Sequence, residues 1–237
     1  MRFLVLFSIL LAAAALALPQ RSGRETARDL FYSEAGLIVS AKDKGRGRFA
    51  SAKRSIIAVA LGVKYRVSKL QDDKPVEWDP NGPWAAGDLI RLGLEVNDGG
   101  YLYIVHRQSD GRWRRLFPTS EIDRGSHFVR GGVIYPVPPE EGLPLRFAGG
   151  PERIFQVLAR EPVKDLEPLV GPLVAENTVS AAPPPEIPDA VVETVRNLLS
   201  AKDLATERVA GEKAVYAVNR TGRPDSVVAV EIRFSPR

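Results

Sequence analysis

Between residues 57 and 160, short apolar runs alternate with turn-forming residues. That rhythm predicts an all-β sandwich or barrel. Val59 to Leu70 reads as a first strand, closed by Gln71-Asp72-Asp73-Lys74-Pro75. From Leu89 to Val96, Ile90, Leu92, Leu94 and Val96 share one face while Arg91, Gly93 and Glu95 share the other. A two-residue period of this kind marks a strand with one buried side. Asn97-Asp98-Gly99-Gly100 predicts a hairpin turn, because Asn, Asp and Gly tolerate positive φ. Tyr101 to Arg107 returns as a strand, apolar on both faces and therefore central. Ser109-Asp110-Gly111 turns again into Trp113 to Phe117, and a loop runs from Pro118 to Ser126. His127 to Val137, Leu145 to Phe147 and Arg153 to Arg160 supply the remaining strands.

The flanks read differently. Seven prolines fall between residues 161 and 188, a density that no sheet interior tolerates. Residues 163–188 are therefore expected to be a semi-extended connector. In the tail, 189–237, Val191, Val192, Val195, Leu198 and Leu199 recur at helical spacing, which predicts an amphipathic helix from Asp189 to Ala201. Lys213 to Val218 and Val227 to Phe234 predict a hairpin around Asn219 to Pro224. A lone hairpin is marginal in water, so this tail either packs onto the main domain or extends its edge. Towards the N-terminus, Glu25 to Tyr32 suits two helical turns and Gly36 to Val39 a short strand. The expected fold is an antiparallel β-sandwich at 57–162, immunoglobulin-like or jelly-roll-like, with a C-terminal helix and β-hairpin appendage.

Composition adds a compartment. Arg2, the apolar run from Phe3 to Leu16 and the small-x-small triplet Ala15-Leu16-Ala17 form a secretory signal peptide over 1–17. The run is shorter than the roughly 20 residues of a spanning helix. The mature chain is expected outside the cytoplasm, periplasmic or secreted, with no stable membrane insertion. An apolar fraction of 44% and a charged fraction of 26% exclude a mostly disordered chain, a collagen-like fibre and a multi-span membrane protein. Zero cysteines exclude disulfides, thiolate metal sites and cysteine nucleophiles. Net charge is +4, and the basic excess lies in residues 21–54, where nine Lys/Arg meet four Asp/Glu. The basic segment 18–56 is expected to be largely flexible. It is a solvated linker or an electrostatic tether to an anionic envelope surface. Its Gly45-Arg-Gly-Arg48 stretch is too short to suggest RNA, and export argues against a nucleic-acid partner.

Candidate chemistry is sparse. Ser120, Asp123 and His127 contain the residue types of a hydrolytic triad, but no Gly-x-Ser-x-Gly elbow accompanies them. His106 and His127 would need further ligands to hold zinc. The Asp72-Asp73 and Asp98-Gly-Gly turns need no calcium to explain them. No catalytic residue, cofactor or metal is therefore expected. Arg112-Trp113-Arg114-Arg115 is the most distinctive surface candidate. On a strand, Arg112 and Arg114 share one face, and Trp113 and Arg115 the other. Paired arginines clamp carboxylates or phosphates, and Trp anchors interfaces; alternatively the Trp is core and the arginine stems lie along the sheet. Tyr101 and Tyr103 share a face and form either an aromatic platform or ordinary cross-strand packing. Trp78 and Trp84 flank the rigid turn Asp79-Pro-Asn-Gly-Pro83, shaping a pocket or pinning the turn. These features point to an exported, non-enzymatic binding module of the bacterial cell envelope, with a protein or envelope polymer as partner. The alternative is an envelope hydrolase with paired carboxylates.

Four ordered blocks carry a resemblance. They are Gly87-Asp-Leu-Ile-Arg-Leu92 with Asp98-Gly-Gly-Tyr-Leu-Tyr103, then Gly111-Arg-Trp-Arg-Arg-Leu-Phe-Pro118, Tyr135-Pro-Val-Pro138, and Arg153-Ile-Phe-Gln-Val-Leu-Ala-Arg160. Together they resemble the bacterial domain of unknown function 4384 family over about residues 60–162. The Arg28-Asp-Leu-Phe-Tyr32 lead-in is similar to what precedes the domain in such proteins. The resemblance implies no activity and no catalytic residues. Family members often adjoin kinase-like or caspase-like domains, which implies an accessory or recognition module.

Overall fold

The computed structural model describes residues 25–33, 37–39, 54–56, 59–72, 74–170, 187–199 and 203–236. The expected signal peptide, most of the basic segment and residues 171–186 of the proline-rich stretch lie outside the described residues. Twelve strands form two antiparallel sheets that face each other. The first holds β3 (Leu61–Gln71), β4 (Lys74–Trp78), β5 (Leu89–Val96), β9 (Ile134–Val137), β10 (Leu145–Arg146), β12 (Leu204–Val209) and β13 (Ala214–Asn219). The second holds β6 (Gly100–Arg107), β7 (Trp113–Phe117), β8 (Phe128–Val129), β11 (Glu152–Ala159) and β14 (Val227–Phe234), in the order β14-β11-β6-β7 with β8 also on β6. A short ribbon pairs β1 (Leu37–Val39) with β2 (Arg54–Ile56). The fold is thus the expected antiparallel β-sandwich. Among the described residues, no helix is long and apolar enough to cross a membrane.

Between the sheets lies the main core. Val63, Tyr65, Val67, Leu92, Leu94, Leu102, Ile104, Ile154, Leu158, Val230 and Phe234 meet there. β6 and β11 are apolar on their other face as well, because α2 (Asp189–Leu199) covers it. Val191, Val192 and Val195 of α2 pack on Tyr103, Val105, Phe155 and Ala229, together with Leu166 and Leu169 of a 3-10 helix at Lys164–Leu169. That 3-10 helix occupies the start of the expected connector. On the opposite side, α1 (Ala27–Phe31) is opened by a capping box between Thr26 and Asp29. It sets Ala27 and Phe31 on Tyr216 and Val218 of the first sheet. The molecule is therefore layered helix, sheet, sheet, helix.

Two expected turns join strands of different sheets. Asn97 to Gly100 is not a hairpin: it carries the chain from β5 in the first sheet to β6 in the second. None of its four residues has positive φ. Instead they tie neighbouring segments together. Asn97 Nδ2 donates to the Ala60 carbonyl (2.6 Å), and its Oδ1 accepts from the Gly62 amide (2.7 Å). Arg160 Nη1 donates to Asp98 Oδ2 (2.6 Å). Gly100 passes so close to β11 that a Cβ would lie 2.7 Å from the Ala159 carbonyl oxygen.

The expected C-terminal hairpin also does not form. β13 pairs with β3 and β12, whereas β14 pairs with β11 along eight registered positions. Asn219 holds the corner between them: Nδ2 donates to the Val227 carbonyl, and Oδ1 accepts from the Thr221 amide and hydroxyl. The tail strands are members of the two sheets rather than an appendage. Likewise the predicted strand at His127 to Val137 is two strands, β8 in the second sheet and β9 in the first.

One end of the sandwich is sealed by aromatic rings. Trp84 packs on Trp78, Phe147 and Phe234 at centroid distances of 6.5, 6.4 and 5.1 Å. Lys69 reaches into this cluster, with Nζ 4.2 Å from the Trp78 ring centre and 4.8 Å from that of Trp84. Its charge is met by Asp88 Oδ2 at 2.5 Å and by the Pro83 carbonyl. The two tryptophans thus pin the Asp79–Pro83 turn.

Candidate functional site

The six residues marked as a surface do not form one patch. Arg112 is spent on its own hairpin: its backbone N–H and Nε donate to Asp110 (3.0 and 2.6 Å). The amide bond first, and the guanidinium second, hold the Asp110 carboxyl below its usual range. Tyr103 is buried beneath the 3-10 helix, donating to Glu167 Oε1 (2.6 Å) and accepting from the Val163 amide (3.1 Å). Burial, then the Glu167 carboxylate, push its phenol pKa up. Tyr101 packs on His127 and Phe128, with ring centroids 4.9 and 5.3 Å apart. Neither tyrosine offers an open platform. Trp113 is half-buried against Phe155 (5.0 Å), on the face that α2 covers.

Arg114 and Arg115 remain, and they open onto a cleft of about 410 Å³. One wall is the second half of β7 with the Pro118–Glu121 loop. The other is built from Pro138, Pro139, Gly142 and Leu143, and the floor from Pro168, Leu169, Ile187 and Pro188. Five of these positions are proline, whose ring fixes φ and removes the N–H donor. Such walls are preformed and leave hydrogen-bond donation to β7 and the side chains. Arg115 Nη1 donates to the Leu169 carbonyl (2.8 Å) and ties the floor to the strand. Arg114 is exposed, as is Leu143 at the rim, with 90% of its surface accessible.

β7 is an edge strand, paired only with β6 among the described residues. The Gln108 amide donates to the Arg112 carbonyl across the hairpin. Antiparallel pairs alternate between bonded and non-bonded. In the observed register Arg114 faces His106 as a bonded pair, so the N–H and C=O groups of Trp113 and Arg115 point away from β6.

The other chemical candidates separate. His127 Nε2 lies 3.3 Å from Glu167 Oε1, without hydrogen-bond geometry, and its ring packs on Tyr101 and Tyr103. It is thus turned to the outer face of the second sheet. His106 points to the inner face, with Nε2 2.8 Å from Glu152 Oε2 and both side chains buried. The two histidines stand on opposite sides of one sheet and share no ligand site. Among the described residues, no three His, Cys, Asp or Glu side chains gather as a metal site. Asp73 lies outside the described residues.

Residues 84–162 match the family model of the domain of unknown function (DUF4384). The chain carries a DUF4384 domain. The match spans a third of the chain and contributes β5 to β11, with both long cleft walls. No curated protein and no solved structure matches the chain. Two blocks that mark the DUF4384 resemblance, Leu116-Phe-Pro118 and Tyr135-Pro-Val-Pro138, end at the cleft. The other wall residues, Pro139, Gly142 and Leu143, and the floor at Pro168 and Pro188, were not foreseen. Proline density was the available signal, but which prolines converge is set by the folding of distant segments.

Proposed function

We propose that the chain is an exported binding module that captures an extended segment of an envelope protein by strand addition along β7, and that it catalyses no reaction. One observation carries this: the outward-facing backbone groups of an edge strand lie beside a rigid, proline-walled cleft. Main-chain hydrogen bonds to β7 would supply affinity, and side-chain pockets specificity. Leu143 and Leu169 suit an apolar side chain, and exposed Arg114 suits a carboxylate. Paired-carboxylate hydrolysis needs two acids across one cleft, whereas Glu121 is the single acid among the described wall residues. Export rests on the basic, apolar and small-residue pattern of residues 1–17.

The test is a photo-crosslinking residue at position 143 of the full chain, made in the bacterial envelope. Crosslinks should map to one extended segment of a partner. Arg115→Pro removes an outward N–H and should abolish them. Arg115→Ala keeps that N–H and should retain most of the yield. Scattered crosslinks, or equal yields from a folded Arg115→Pro chain, would contradict the proposal.

A further inference from the structure

The outer face of the second sheet carries a row that folding alone does not favour. Arg233 on β14 is registered directly opposite Arg153 on β11, and Arg153 directly opposite Arg107 on β6. Arg107 in turn faces Trp113 on β7. Like charges in directly opposed positions, with Cβ atoms about 5 Å apart, destabilise a sheet. Three successive strands nevertheless place an arginine in the same row.

Glu231 is the carboxylate that answers them. Its Oε2 accepts from Arg233 Nε and Nη2 at 2.9 and 2.6 Å. Its Oε1 lies 3.1 Å from Arg153 Nη1 without hydrogen-bond geometry. One carboxylate thus serves two guanidinium groups. The Arg107 side chain makes no hydrogen bond or ion pair with any described residue. The last turns of α2 add a fourth arginine: Arg196 sits with its guanidinium carbon 6.0 Å from the Trp113 ring centre. Its neighbour Glu193 is 3.5 Å away, with both side chains more than half exposed. Arg107, Arg153, Arg196 and Glu231 line a pocket of about 270 Å³, with Trp113 and Phe155 as an aromatic wall and Leu199 at the margin.

We infer that this pocket binds a phosphate monoester, its phosphate among Arg107, Arg153 and Arg196 and its organic part against Trp113. Planar guanidinium groups bind phosphate oxygens bidentately. Three arginines line the pocket against the single carboxylate of Glu231, which Arg233 already engages, and that balance suits a dianion better than a monocarboxylate. The volume, near the lower end of small-molecule sites, suits a headgroup-sized ester. The pocket lies apart from the cleft, and the inference does not depend on strand addition.

The wild-type chain, titrated with phenyl phosphate, should give a saturable change in tryptophan fluorescence that weakens with salt. Phenol should give none, and Trp113→Phe should remove the signal, since Trp78 and Trp84 lie at the sealed end. Arg107→Gln should weaken binding about tenfold, the value of one charge-assisted hydrogen bond. Its unliganded melting temperature should equal or exceed wild type, because a like-charge contact is relieved. Vesicles containing phosphatidate, compared with pure phosphatidylcholine, separate the sources. Cosedimentation lost in Arg107→Gln identifies a lipid ester; a fluorescence response without cosedimentation identifies a soluble one. No response to either probe, an undiminished response in Arg107→Gln, or a lowered melting temperature in that variant with no ligand effect would overturn the inference.

Discussion

Tyr65 points between the sheets with 6% of its surface exposed, and burial pushes its phenol up to about 12, an effect that Arg208 partly offsets. Below pH 10 the phenol is protonated in both folded and unfolded chains. Between pH 10 and 12 the unfolded chain ionises first, so stability falls as pH rises. The loss from this residue approaches roughly 2–3 kcal/mol by pH 12, at about 1.4 kcal/mol per pKa unit. Burial also raises Tyr103 and Tyr216, which steepens the same limb. Denaturant melts from pH 8 to 12 should show Tyr65→Phe with a shallower alkaline decline than wild type; identical slopes would contradict the assignment. Lys69 follows another rule. It faces inward because two indole rings and Asp88 replace the water it loses. Its position on the inward face was legible from strand spacing. Its partners were not, since Trp78, Trp84 and Asp88 reach it only through the turn they belong to.

Period-two strands were legible because burial on one side writes itself into the sequence. β5 alternates between buried and half-buried positions over its whole length, and the doubly apolar β6 is indeed central, between β11 and β7. β4 and β12 were missed because they bury little: β4 is exposed at four of its five positions, so no alternation marks it. The hairpin errors have one cause. Asn, Asp and Gly at a chain reversal suit a hairpin and a crossover equally, and the choice depends on which distant strands pair. Asn97 shows this, spending its side chain on Ala60 and Gly62, more than thirty residues away. Of the DUF4384 blocks, those around Asp88 and Asp98 are structural, tied to Lys69 and Arg160, while the two proline-ended blocks meet at the cleft. β7 itself was predicted with its observed bounds. Its place at a sheet edge beside a cleft is topological and lay beyond the reach of periodicity.

Both sheets are completed by residues far outside the 84–162 match. β3 precedes it, β13 is buried at all six positions, and β14 covers the flank of β11. Burying Val215, Val218, Val228, Val230, Ile232 and Phe234 is worth on the order of 10 kcal/mol, comparable to the whole net stability of an ordinary domain. A fragment of residues 59–162 should therefore show no cooperative thermal transition by circular dichroism, whereas the full chain should; a fragment melting like the full chain would refute this dependence. The sandwich interior is packed, so the proposed binding is assigned to its exterior, at β7, where backbone groups face outward beside the cleft. Amide hydrogen exchange resolved at residues 113–117 tests that most directly. In the free chain the Trp113 amide should exchange much faster than that of Arg114, and adding the partner segment found by crosslinking should slow it. Equal protection of these two amides in the free chain, or no slowing on binding, would contradict strand addition at β7.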